Sequence, residues 1–104
     1  MKQKFFDYVE AALNETICNT YRKLAQYLDT PQPKISQWKT GKSYVSPAEC
    51  VLLARLLGIS TEEIAFVLKA EKEPLPERKQ LWYQEAKRFE KPINPPSKYQ
   101  SKIS

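Results

Sequence analysis

Residues able to carry covalent chemistry are scarce in this chain. There is no histidine, which removes the commonest general base and any Ser-His or Cys-His nucleophile pair within one chain. Two cysteines, Cys18 and Cys50, cannot complete a tetrahedral zinc site without carboxylates. They read as buried free thiols, because free cysteine packs as a small hydrophobe. No paired-acid cleft, phosphate-cradling glycine loop or metal cluster appears, and the two glycines, Gly41 and Gly58, fall at expected helix ends. The expectation is no enzyme, no cofactor and no metal. What remains is recognition chemistry, gathered in "TPQPKISQWKTGK", Thr30 to Lys42. Its glutamines and lysines offer hydrogen bonds and positive charge.

Charge supports that reading. The 104 residues carry a formal net charge of +5, unevenly placed. Segment 19–45 holds five Lys or Arg against Asp29 alone, and segment 91–104 holds three Lys and no acid. Segment 46–73 is acidic, and 74–90 mixes both signs. A basic internal stretch beside balanced ones is the electrostatic footprint expected of a nucleic-acid contact surface. About 41% hydrophobic residues provide for one modest core, and the length fits one small domain. No apolar run approaches the ~20 residues of a membrane span, and the N-terminus lacks a signal-peptide apolar region. The expected setting is soluble and cytoplasmic, with no membrane contact.

The elements that must position these residues are helical throughout, with no convincing strand. Phe5, Val9 and Ala12 recur at i, i+4, i+7 and predict a helix over 3–14. A second helix spans 20–28, with Thr20 as cap and Leu24, Ala25 and Leu28 facing inward. In the third, Ile35 and Trp38 lie three apart on one face, so Trp38 reads as a core residue. Its prolines are expected at tolerated places: with Thr30 as N-cap, Pro31 is the first helical residue and Pro33 the third, where N–H groups have no intrahelical acceptor. Alternatively the regular helix begins near Pro33, with Gln32 on an extended lead-in. "SPAE" predicts a capping box at Ser46 and Glu49 with Pro47 at the first position, and that helix ends at Gly58. "STEE" offers Ser60 and Glu63 in the same roles for a fifth helix to about Lys72. A sixth runs from Pro76 to about Lys91, with Trp82, Ala86 and Phe89 on one stripe. The proline-rich remainder is expected to be disordered or extended when unbound.

Within residues 20–40, two short helices joined at Asp29 show the hydrophobic spacing of a helix-turn-helix. "YRKLAQYLDTPQPKISQWKTGK", followed by "SPAECVLLARLLGIS", resembles the helix-turn-helix family of phage Cro and CI repressors, also called the XRE family. The resemblance covers roughly residues 5–70. It is carried by "LA" at Leu24–Ala25, "ISQWKTGK" at Ile35–Lys42 and "LARLLGIS" at Leu53–Ser60. Two departures stand out: Asp29 replaces the usual glycine of the turn, and Pro31 the usual Ser or Thr that opens the recognition helix. More loosely, residues after 73, with "QLWYQEAKRF", resemble small repressors of Pf-type filamentous phages. The implied fold is all-α: a five-helix Cro/CI-like domain over 1–73, a C-terminal aromatic helix over 74–91 and a flexible basic tail over 92–104.

The resemblance implies that the third helix enters the DNA major groove and presents Gln32, Pro33, Lys34, Ser36 and Gln37 to base edges. The residue types agree, because Gln pairs with adenine N6 and N7, and Lys reaches guanine O6 or N7. Phosphate contacts are expected from Thr20 and Tyr21 on one side and Lys39, Thr40, Lys42, Ser43 and Tyr44 on the other. The stripe on the sixth helix has two readings: it packs back on the domain, or it builds a homodimer interface through Phe66, Leu81, Trp82 and Phe89. The leading expectation is a transcriptional repressor of phage or prophage type that binds a palindromic double-stranded DNA operator as a homodimer. Its control is expected from protein concentration or from a second protein such as an antirepressor. The alternative is a DNA-binding antitoxin or adaptor whose C-terminal segment binds a protein partner.

Overall fold

The computed structural model describes residues 1–101, which form six α-helices and one 3-10 turn. Helix α1 spans Phe5–Glu15, α2 Tyr21–Leu28, α3 Gln32–Trp38, α4 Pro47–Leu57, α5 Thr61–Lys72 and α6 Pro76–Arg88. The all-α expectation holds, with a helix-turn-helix made by α2 and α3. No helix among the described residues is long and apolar enough to cross a membrane.

The helix starts are side-chain events. Thr20 accepts the backbone N–H of Lys23 at the head of α2. Ser46 and Glu49 close a full capping box on α4, with Pro47 just inside. Such caps each contribute about 1 kcal/mol. At α5 only half of the expected box forms. Ser60 accepts the N–H of Glu63, but the Glu63 side chain turns inward. It accepts the Tyr8 hydroxyl and the Lys91 N–H at 3.0 Å. A buried carboxylate with two long-range donors is worth more than one reciprocal cap bond, so the local signal loses. Burial, and then the bond to Glu63, push the Tyr8 phenol far above its ordinary pKa.

One core joins the helices. Val9 and Ala12 of α1, Leu24 and Leu28 of α2, Ile35 and Trp38 of α3, Leu53, Leu56 and Leu57 of α4, and Ile64 and Val67 of α5 are all buried. Each fully buried aliphatic side chain adds about 1.5–3 kcal/mol. Phe5 meets Trp38 edge to face with centroids 5.5 Å apart, which ties α1 to the back of α3. Cys18 and Cys50 are buried free thiols.

In the C-terminal third the stripe follows one of its two readings, and the tail departs from expectation. The rings of α6 are used within the chain: Phe66 of α5 stacks on Trp82 at 5.8 Å and on Phe89 at 5.9 Å. Packing back on the domain is therefore what the stripe does, and Leu81 is the one of the four proposed interface residues that stays largely exposed, at 51%. The tail is extended, yet through residue 100 it is docked rather than loose. Asn94 donates to the Leu57 carbonyl at 3.0 Å, and Ile17 donates to the Tyr99 carbonyl at 2.9 Å. Tyr99 also packs edge-on to Tyr27 at 5.3 Å. Gly58, at φ +71°, makes room for the tail, since a Cβ there would lie 2.0 Å from the Asn94 oxygen. Lys102, the second of the two basic residues of the expected tail, lies outside the described residues.

Candidate nucleic-acid interface

The turn between α2 and α3 sets the angle of the site. Asp29 adopts the left-handed conformation, φ 51° and ψ 49°, as the tight turn requires. Its N–H reaches the Gln26 carbonyl, and the N–H of Thr30 reaches back to Ala25 at 3.0 Å. These two bonds make a Schellman ending for α2 on a residue other than glycine, which costs roughly 1–2 kcal/mol.

Thr30 does not cap α3. Pro31 occupies the N-cap position, Gln32 is the first helical residue and Pro33 the second. The buried Thr30 hydroxyl bonds the Leu28 carbonyl at 3.1 Å and the Glu49 carboxylate of α4. An internal acceptor from a neighbouring helix outcompetes the local cap. Both prolines still stand where a helix needs no donor, and the N–H of Lys34 closes the first turn on the Pro31 carbonyl.

Glu49 pins the start of α3. Besides Thr30, it accepts the Lys34 ammonium at 3.1 and 3.2 Å and the Ser46 N–H at 2.8 Å. Burial opposes its charge, but the bonds from Thr30, Ser46 and Lys34 outweigh burial and hold its pKa below the ordinary carboxylate value. Lys34, expected at a base edge, is thus half-buried and ion-paired. Nothing in the local sequence marks this link, since Thr30 and Glu49 stand 19 residues apart. Glu49 had a visible role only as the capping-box acid.

The remaining face of α3 is bare. Gln32, Pro33, Ser36 and Gln37 are exposed, while Ile35 and Trp38 are buried behind them. The spacing i, i+1, i+4, i+5 places the four outward residues on one stripe of a helix. Gln37 is also oriented from the following loop, because its side-chain oxygen accepts the Ser43 hydroxyl. Its carbonyl takes the Lys42 N–H at 3.0 Å and the Thr40 hydroxyl at 3.2 Å. Ser43 and Thr40, expected on phosphates, are therefore brought onto Gln37. Around this stripe, Thr20, Lys39, Lys42 and Tyr44 are exposed and Tyr21 is half-buried. Lys39 lies over the Phe6 ring at 6.0 Å, and Lys72 over Tyr44 at 5.7 Å. A bare polar stripe on a short helix, flanked by lysines and hydroxyls, can place hydrogen bonds on base edges and positive charge on phosphates.

Comparison with known proteins agrees with this geometry. No curated protein and no solved structure matches the chain significantly. Residues 19–64 match a family model described as helix-turn-helix; with Asp29 at the turn and Ile35 and Trp38 behind the exposed stripe, that match supports a DNA-binding transcription regulator of the Cro/CI helix-turn-helix type.

Proposed function

We propose that the protein is a sequence-specific transcriptional repressor of phage or prophage type, which binds a palindromic operator as a homodimer. The observation that carries this reading is the face of α3. Gln32, Pro33, Ser36 and Gln37 stand clear of the domain, while Thr30 and Lys34 are fixed to Glu49. A helix held this way offers hydrogen-bonding groups at a set angle, which base reading requires. One such helix reads only a few base pairs. Two copies on a dyad reach half-sites one helical turn apart, about 34–36 Å. Exposed Leu81 and the uncovered edges of Phe66, Trp82 and Phe89 are the proposed contact between copies. Lys39, Lys42, Thr20, Tyr21 and Tyr44 are the proposed phosphate contacts.

The antitoxin or adaptor reading relied on a loose tail to wrap a partner. Residues 93–100 pack on Leu57, Tyr27 and Ile17 of the same chain, so no observation favours it. The deciding experiment is selection of bound sequences from a random double-stranded pool. A palindromic consensus with half-sites one turn apart is expected. Recovery of unrelated sequences at equal affinity would contradict base reading, and a single non-repeated half-site would contradict the dimer.

A further inference from the structure

A concave site of about 500 Å³ lies between α4, α5 and Trp82 of α6, and of its lining the proposed function uses only Tyr44 and Trp82. Its floor is apolar: Val45, Cys50, Val51, Ala65 and Leu68 line it. Tyr44 and Trp82 supply its aromatic lining. Burial, and then the neighbouring Glu49 charge, push the Cys50 thiol up to about 11, so the floor carries a neutral thiol at physiological pH. The size and apolar lining fall in the range of small-molecule sites, ~300–1,000 Å³.

The rim carries the selectivity. Lys69 rests over the Trp82 ring at 5.5 Å and Lys72 over the Tyr44 ring at 5.7 Å. Neither makes an ion pair among the described residues. Glu73, the one carboxylate of the lining, accepts the Trp82 indole N–H at 3.1 Å and the Leu75 N–H at 3.5 Å and pairs with neither lysine. Two ammoniums therefore stand over an apolar cavity, held there by aromatic faces. That pairing matches a ligand with an apolar body and an anionic head. A second copy of this chain matches poorly, because a two-fold contact would bring the same lysines together.

We propose that this cavity binds a small amphipathic organic anion, such as a medium-chain or aromatic carboxylate. The body would fill the space above Val51 and Leu68, and the carboxylate would take bonds from Lys69 and Lys72. The site is separate from α3, and its test requires no DNA.

The probe pair is decanoate and uncharged decanol, titrated into the full chain and followed by amide and indole NMR signals. Decanoate is expected to move the Trp82 indole signal and the amides around Val51, Leu68 and Lys69, leaving the amides of α2 around Gln26 in place. Decanol is expected to bind about tenfold more weakly, the scale of one charge-assisted contact. The double variant Lys69→Gln, Lys72→Gln changes only exposed side chains and should bring decanoate down to the level of decanol. Val51→Trp should obstruct the cavity and weaken both, with thermal unfolding recorded as a check on the fold. Equal binding of the two probes, or no movement at Trp82, would overturn the proposal. So would concentration-dependent shifts at Val51, Leu68 and Lys69 without ligand, since a second copy would then occupy the cavity itself rather than the Leu81 face.

Discussion

Helices α3 and α6 are attached to the same domain by opposite means. Helix α3 has seven residues and buries only Ile35 and Trp38. Its orientation comes from directional bonds: Thr30 and Lys34 to Glu49, and Gln37 to Ser43. Helix α6 has thirteen residues and fully buries only Ala86. It is held chiefly by area, through the stacking of Trp82 and Phe89 on Phe66, with the Tyr83 hydroxyl on the Gln3 carbonyl and the Trp82 indole on Glu73 as directional bonds. Area is forgiving of angle, whereas a buried carboxylate with several donors is not. A helix that must present one face at a set angle is best held by the second kind of contact.

If that contrast is correct, Glu49→Ala is the most damaging change. It leaves Lys34 without its partner and removes half of the α4 capping box, at a cost of about 3 kcal/mol in thermal or denaturant unfolding. The same variant should weaken DNA binding without touching an exposed α3 residue. The pH dependence has a definite sign. Because the folded pKa of Glu49 lies below its ordinary value, its stabilisation is complete above that ordinary value. It drains as pH falls through the folded pKa. Wild type and variant should therefore converge in stability in acid.

Trp82→Ala tests the other side of the comparison. Loss of a half-buried ring and its stacking on Phe66 should cost about 2 kcal/mol. Because Trp82 is also a proposed contact between copies, dimerisation on the full operator should weaken while the preference of one copy for a single half-site over random DNA stays unchanged. A changed preference would show that α6 helps to set the reading helix.

The glycines give a smaller, paired test. Gly58→Ala must adopt a left-handed backbone and also displace Asn94, so about 2 kcal/mol is expected. Gly41, at φ +72° with nothing near its missing Cβ, should lose only about 1 kcal/mol on the same change. The excess at Gly58 measures the docked tail, and equal costs would mean that the tail contributes nothing. Smallest of all, Asp29→Gly should stabilise the protein by about 0.5–1 kcal/mol by relieving the left-handed strain.

The same contrast explains what could be read in advance. Local signals were legible: the Ser46, Pro47, Glu49 start, the Thr20 cap, the turn at Asp29, and the inward faces of Leu24, Leu28, Ile35 and Trp38. These depend on residues within one or two turns of each other. The links between Glu49 and Thr30, Glu63 and Tyr8, and Asn94 and Leu57 depend on helices meeting, and no spacing in the chain encodes them. For that reason Thr30 read as a cap, Lys34 as a base reader and the tail as loose. A proline-rich, polar segment reads as disordered unless the groove that receives it is known, and the only trace of that groove was Gly58. The stripe on α6 was visible as a stripe, but its partner, Phe66, was identifiable only once α5 and α6 had been laid side by side.

The central claim is that α3 reads sequence through its exposed face. Its most direct test compares wild type with Gln37→Ala on a selected operator and on random DNA at one salt concentration. Gln37 is exposed, and the one hydrogen bond of its side chain among the described residues comes from Ser43, so stability should hold within ~0.5 kcal/mol. Operator affinity should fall by about 1–3 kcal/mol with random-DNA affinity unchanged. An equal loss on both, or no loss on either, would contradict the account.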